Sequence, residues 1–515
     1  MVAVFAAFAF RVWFVYNGKE NAEAGGISLK GHFFRREELE NILDQVLNKT
    51  LGEVDGKHVF DKTQRNPKIT GIAGDVIEQS VLGFPADNLQ RPDLDVDGVD
   101  TELKTTGIRL SKKDNKKYEA KEPMSITAVS PGQIVLEEFS TSKFWHKLQH
   151  MLLVYYHYDS AKTVKAAEYA GFYIRGYEFH EFDEADEAVL KNDWELVRDF
   201  ILEIQRTFEE PESQYPRLSS ELRDKLAYID TAPKWPHPPR FRLKRQVVTD
   251  IVQKHFGNKL EQLPGRYSGY KDIDCKCRAI TVQDAGKTVE ELVAQYGIVV
   301  KNIEKLSKSI NETVIVKMFG GQSKKLNQIE LFRRFGIIGK SITMTQEGNR
   351  TEDTKLFAID FDEWTDKDIA FEESVAYEYF ANHQLLCMLF EEPSKEAPLN
   401  ENKFVGFKRL TFSEDFIQRE VRRIWEEVRG LVWEGKLAET VSRDKEGRVI
   451  INKKTGAVRT SVNFPKSKEN TVFVRGGGTD SSAKTERVNG ISMYKQFVWI
   501  KGSYIVDMLK RLPLL

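Results

Sequence analysis

The stretch "RPDLDVDGVDTELKTTGIRL", Arg91 to Leu110, gathers five carboxylates around a single lysine. Apolar and polar residues alternate along it, and Asp-Gly breaks it in the middle, so it predicts two strands joined by a tight turn. Side chains on a strand alternate between faces, so Glu102 and Lys104 point the same way. An aspartate on the neighbouring strand would complete a pocket of two carboxylates and one ammonium. Proteins often hold Mg2+ with one or two carboxylates and leave the rest of its shell to water. Such an ion acidifies a bound water and offsets charge on a phosphoryl oxygen, and a lysine beside it stabilises the charge that develops there. The pocket therefore suits phosphodiester hydrolysis. The same residues also suit a solvated, charged hairpin edge, and this stretch alone leaves both open.

The flanks are ordered. Before the hairpin, "RREELENILDQVLNKTLGEV" places Leu39, Ile42, Leu43, Val46 and Leu47 at helical spacing. "GIAGDVIEQSVLGF" predicts a second helix, with Gly71 and Gly74 allowing close approach. After the hairpin come a basic loop, "RLSKKDNKKYEAKE", strand-like "PMSITAVS", and "KFWHKLQHMLLVYYHYD", which runs into a buried strand. "DEADEAVLKNDWELVRDFILEIQRTF" predicts an amphipathic helix. "PKWPHPPRFRLKRQVVTDIVQKHFG" predicts a Pro-rich loop, a basic strand or turn, and a helix.

The chain has 515 residues, 41% hydrophobic and 30% charged, with a formal net charge of −1. That length allows more than one core, and the composition excludes extended disorder. Near-neutral charge means that any nucleic-acid surface is a local patch, balanced by acidic runs such as "EFHEFDEADEAVLKNDWE". Three cysteines, Cys275, Cys277 and Cys387, suit a reducing compartment and a cytoplasmic location. "CKC" has no partner pair at zinc spacing. The apolar start, "MVAVFAAFAFRVWFVYNG", contains Arg11 and is short for a membrane span. Residues 1–30 are expected to be a tail, and no membrane association is expected.

Four segments together resemble the family of MutH, the mismatch-repair nicking endonuclease, and of the large Sau-type type II restriction endonucleases that cut at GATC. "GIAGDVIEQSVLG" resembles its Gly-bearing helix with a glutamate. "RPDLDVDGVDTELKTTGI" resembles its catalytic hairpin. "FWHKLQHMLLVYY" resembles its His-Lys-Leu element and strand, and "PPRFRLKRQVVTDIV" its closing Arg-x-Phe-x-Leu-Lys element. The resemblance covers roughly residues 31–256. It implies a mixed α/β, restriction-endonuclease-like PD-(D/E)xK fold. It also implies Asp93 and Glu102 as Mg2+ ligands, Lys104 at the attacking water, Glu78 as a secondary acid and Lys147 as a second cation near the scissile phosphate. The gap between Asp93 and Glu102 is wider than is usual in the family. Asp95 has the usual spacing but lacks the preceding proline, so it stays an alternative ligand.

Beyond residues 257–290, expected to be a linker, the order of elements repeats over 291–515. "QFVWIKGSYIVDML" is the counterpart of "RFRLK…VVTDIV", and "FGIIGKSITMT" that of "DTELKTTGIRL". Lys340 then matches Lys104, but Ile338 stands in the place of Glu102. An isoleucine cannot hold Mg2+, so the second MutH-like domain is expected to be inactive, and the resemblance to the large Sau-type enzymes implies an effector or dimerisation role for it. DNA contacts are expected from Lys234, Arg240, Arg242 and Lys244 in the first half, and from Arg475 and Lys484 in the Gly-rich "VFVRGGGTDSSAK" loop of the second. The expected activity is Mg2+-dependent cleavage of double-stranded DNA at a short palindrome, with a possible homodimer on DNA and a protecting methyltransferase. A MutH-like nickase and a non-catalytic DNA-binding protein are the alternatives.

Overall fold

The computed structural model describes residues 32–84, 92–112, 114–232, 238–349, 352–394, 397–444, 446–451, 456, 458–478 and 484–515. The apolar start and Lys234 lie outside these residues. The architecture is mixed α/β.

The Asp-Gly hairpin forms where the alternation predicts it. Strands β2 (Leu94–Val96) and β3 (Val99–Leu110) pair antiparallel, with Val96 opposite Val99. The two turn residues, Asp97 and Gly98, both have positive φ, 51° and 86°. That is the mirror-type turn whose twist matches a tight hairpin and which favours Asp-Gly. A short strand β1 (Phe33–Phe34) runs parallel to β2. On the other side, β3 pairs parallel with β4 (Met151–His157), which pairs antiparallel with β5 (Tyr173–His180). The sheet order is β1-β2-β3-β4-β5.

Two layers cover this sheet. On one face, helix α1 (Arg36–Val46) buries Leu39 and Leu43 beside α2 (Ile72–Val76), which continues as one π-helical segment, Ile77–Leu82. On the other face lie α3 (Glu184–Thr207), with Val189, Trp194, Val197 and Ile201 fully buried, and α4 (Arg245–His255). Strand β6 (Arg240–Leu243) leads straight into α4.

The second half repeats this plan. Strand β7 (Ile337–Met344) runs parallel to β8 (Gln384–Glu391), and β8 antiparallel to β9 (Lys403–Leu410). The long helix after β9 ends in the segment Arg422–Trp433. Ser142 and Ser374 mark equivalent points. Each accepts an N–H three residues on, from Trp145 and Tyr377, and each donates its hydroxyl to a carbonyl three residues back, Phe139 and Phe371. Strand β10 (Val472–Gly477) pairs with β11 (Lys495–Ile500), which leads into a closing helix, Gly502–Lys510, as β6 leads into α4.

Two expectations change. Residues 257–290 carry a helix, Tyr270–Asp284, which buries Ile273, Cys277 and Ile280 in a core shared by both halves. They are therefore not a loose connection. The glycine run 476–478 is not simply a loop, because Gly476 and Gly477 belong to β10. A Cβ on Gly478 would lie 2.1 Å from the Tyr494 ring, and one on Gly476 3.0 Å from the Gln496 amide. These glycines seat neighbouring side chains.

Candidate active site

The parallel register of β3 on β4 places Glu102 beside Met151 and Lys104 beside Leu153. Glu102 is 1% exposed. A buried carboxylate needs charged partners, and it has two. Lys104 Nζ donates to Glu102 Oε1 at 2.6 Å, and Lys147 Nζ reaches both oxygens, at 2.9 and 2.8 Å. Lys147 arrives from the short helix Lys143–His146, which Ser142 caps, and is itself buried.

Asp93 precedes β2. Its Oδ2 accepts the Leu103 N–H at 3.0 Å, and its carbonyl accepts from His32 Nδ1 at 2.7 Å. Burial raises its pKa, and the charge of Glu102 adds to that. Glu78 enters from the π-helical segment and is pushed up to about 7, first by burial, then by the charges of Asp93 and Asp75. π-Helical insertions often occur at functional sites. Glu78, Asp93, Glu102, Lys104 and Lys147 thus meet at one end of β3. Asp95 does not. It lies opposite Asp100, and its Oδ1 accepts the Gly98 N–H at 2.7 Å, which braces the turn.

The donor set fits a divalent cation. Burial raises the Asp93 and Glu78 carboxyls, Glu102 adds to the shift of Asp93 and Asp93 to that of Glu78, the situation a cation relieves. Among the described residues no group of three or more His, Cys, Asp or Glu side chains forms a metal cage.

In the second half, Ile338 lies beside Leu385 and Lys340 beside Cys387. Lys340 Nζ donates to the Lys355 carbonyl at 2.8 Å.

The expected DNA contacts divide. Arg240 is exposed. Arg242 forms two bonds to Asp230, at 2.8 and 3.0 Å. Lys244 is 4% exposed, lies near buried Asp193 and donates to the Leu226 carbonyl at 2.5 Å. A lysine enclosed this way holds the chain together and does not face DNA. Arg475 is exposed, pairs with Asp353 at 2.7 Å and lies over the Phe473 and Trp499 rings. Lys484 pairs with Glu439 at 2.7 Å. Arg475 and Lys484 line one groove of about 900 Å3. His32 carries no motif, and nothing in the sequence singles it out.

Residues 82–193 match the family described as DNA mismatch repair enzyme MutH. The type II restriction enzyme Sau3AI of Staphylococcus aureus is 23% identical over 518 residues, spanning 93% of this chain and 99% of that enzyme. The MutH match encloses Asp93, Glu102, Lys104 and Lys147, and the second similarity runs through both halves. Among the described residues no helix is long and apolar enough to cross a membrane.

Proposed function

The chain belongs to the MutH/Sau-type family, and from that premise we propose that it is a type II restriction endonuclease. It hydrolyses double-stranded DNA at a short palindrome, for which GATC is the candidate, with Mg2+ as cofactor. The observation that carries this reading is the meeting of Asp93, Glu102, Lys104 and Lys147 at the end of one strand, inside a chain similar to Sau3AI over nearly its whole length.

Asp93 and Glu102 would hold the ion. A bound Mg2+ supplies an acidified water and neutralises charge on the scissile phosphate. Lys104 orients the attacking water and stabilises negative charge gathering on the phosphoryl oxygens. Lys147 fixes the Glu102 carboxylate and adds a second positive charge on the phosphate side. Glu78, whose carboxyl burial and the charges of Asp93 and Asp75 raise, is the nearby acid able to exchange a proton with solvent. A bond forms between the water oxygen and phosphorus and one phosphorus–oxygen ester bond breaks; the attacking water gives up a proton to solvent, and the departing sugar oxygen takes one up from solvent to leave as a hydroxyl.

Residues 31–256 act as the catalytic half in this reading. Residues 291–515 form an inactive MutH-like half, because Ile338 cannot bind a cation. That half serves as an effector or dimerisation module, with Arg475 and Lys484 at its DNA-facing groove and Arg240 on the catalytic side. The enzyme acts in the cytoplasm as a homodimer on DNA, beside a methyltransferase that protects the host sequence.

Short duplexes test the sequence preference. A duplex containing GATC, incubated with Mg2+, is cut on both strands, and an otherwise identical duplex containing GTAC is left whole. Equal cutting of both duplexes would remove the site assignment, and a single-strand nick at GATC would favour a repair nickase.

A further inference from the structure

We propose that His32 is a positioning residue that holds Asp93 in its metal-binding orientation. The inference rests on the nuclease reading of the Asp93–Glu102 site.

Asp93 stands in an awkward place. Strand β2 is three residues long, and Asp93 lies just before it, where pairing with β3 has stopped at Leu94 and Thr101. Beyond Leu94 no strand ladder with β3 holds the Asp93 backbone beside Glu102. One restraint is on the side chain itself, the Leu103 N–H at 3.0 Å. The other is on its backbone, and it comes from His32.

The His32 bonds are well defined. A carbonyl oxygen only accepts, so the 2.7 Å contact to the Asp93 carbonyl requires the proton on Nδ1. The His32 carbonyl in turn accepts the Asp95 N–H at 2.9 Å, and the Phe34 carbonyl accepts the Asp97 N–H at 3.0 Å. The ring of His32 thus extends the short parallel pairing of β1 with β2 by one more bond, onto the residue that would bind the ion. The ring cannot easily turn away, because it packs on Phe84 with centroids 4.6 Å apart, and Phe84 is itself 4% exposed. Hydrogen-bond partners that fix the ligands of a metal tune its affinity strongly.

The test separates positioning from plain structural support. Ca2+ is titrated calorimetrically into wild type, His32→Phe, His32→Asn and Asp93→Asn, and the Mg2+ concentration for half-maximal cleavage is measured alongside. His32→Phe keeps a ring against Phe84 and loses the N–H. It should weaken ion binding about tenfold or more and raise the Mg2+ requirement similarly, with DNA affinity in the absence of metal unchanged. His32→Asn offers an amide N–H near the same place and should recover most of that loss. If His32→Phe does not fold, His32→Leu against His32→Asn makes the same comparison. A folded His32→Phe with wild-type ion affinity and Mg2+ requirement would overturn the inference and leave the nuclease reading standing. A wild type that neither binds the ion nor cleaves DNA with Mg2+, or an Asp93→Asn that binds and cleaves as wild type does, would overturn both.

Discussion

Lys147 Nζ lies 2.9 and 2.8 Å from the two carboxylate oxygens of Glu102, a residue only 1% exposed. The pair joins the helix of the His-Lys-Leu element to the strand of the hairpin, and it makes a charged centre tolerable inside the fold. Removing one partner of a buried pair costs about 3–5 kcal/mol. Lys104 still neutralises Glu102, so the Lys147→Met variant should lose less, about 2 kcal/mol, read as a lower urea midpoint. Its cleavage rate should fall at least a hundredfold, as when a donor that stabilises developing charge is removed. A variant as active as wild type would take Lys147 out of the chemistry.

Glu78 gives a stability signature in pH. Its carboxyl is raised from 4.5 to about 7 in the folded protein, by burial first and by Asp93 second. A raised carboxyl means that the charged form is the disfavoured one. The penalty is absent below about pH 4.5, grows between 4.5 and 7, and is complete above 7. Glu78→Gln should therefore be as stable as wild type at pH 4.5 and more stable at pH 8. After allowance for partial solvent access, the gain is about 1–2 kcal/mol. Thermal melts at the two pH values read it directly, and an equal shift at both would exclude this cause.

Lys244 and Arg240 sit four residues apart and should behave in opposite ways. Lys244 is buried near Asp193 and bonded to the Leu226 carbonyl. Lys244→Met strands Asp193, which also accepts the N–H groups of Ala227, Tyr228 and Ile229, and should cost about 3 kcal/mol. Arg240→Ala should leave the melting temperature unchanged and weaken DNA binding, with a shallower dependence on salt. Binding isotherms at two salt concentrations, with melts of both variants, check the pair.

The two halves should unfold together. Arg245 of α4 pairs with Glu378 at 2.8 Å and Arg223 with Glu414 at 2.6 Å, and Arg409 pairs at 2.7 Å with Asp274 of the helix between the halves. One apolar core also runs from Ile108 through Ile273 to Phe407. Calorimetry should give one transition, and Arg245→Met should lower it as a whole by about 3 kcal/mol. Two separated peaks, only one of them moved by the variant, would mean that the shared core does not couple the halves.

Much of this was legible in the sequence, and the reasons differ by residue. The hairpin was, because period-two alternation around Asp-Gly has few other solutions, and turn and register then leave Asp95 bracing Gly98 while Asp93 faces Glu102. Glu78 follows only from the resemblance of its segment to the family's helix, and its π-helical geometry is not foreseeable from spacing. Lys244 was not legible as a buried group. "RFRLKR" looks like a basic surface, and only the distant Asp193 and Leu226 make it interior. The helix Tyr270–Asp284 was missed because Lys and Asp interrupt it. Its buried Ile273, Cys277 and Ile280 follow helical spacing on one narrow face. His32 carried no signal, since its role depends on one ring nitrogen meeting a carbonyl sixty-one residues along the chain.

The most direct measurement is cleavage of unmethylated plasmid DNA with Mg2+ by wild type and by Glu102→Ala, with the ends mapped by sequencing. The account predicts discrete double-strand cuts at one short palindrome for wild type, and neither cuts nor nicks for the variant, because it assigns the chain a single active centre. Residual cutting by Glu102→Ala would place an active centre elsewhere in the chain. Salt-sensitive DNA binding by wild type with no cleavage at all would contradict the assignment of Asp93, Glu102 and Lys104 as a nuclease centre.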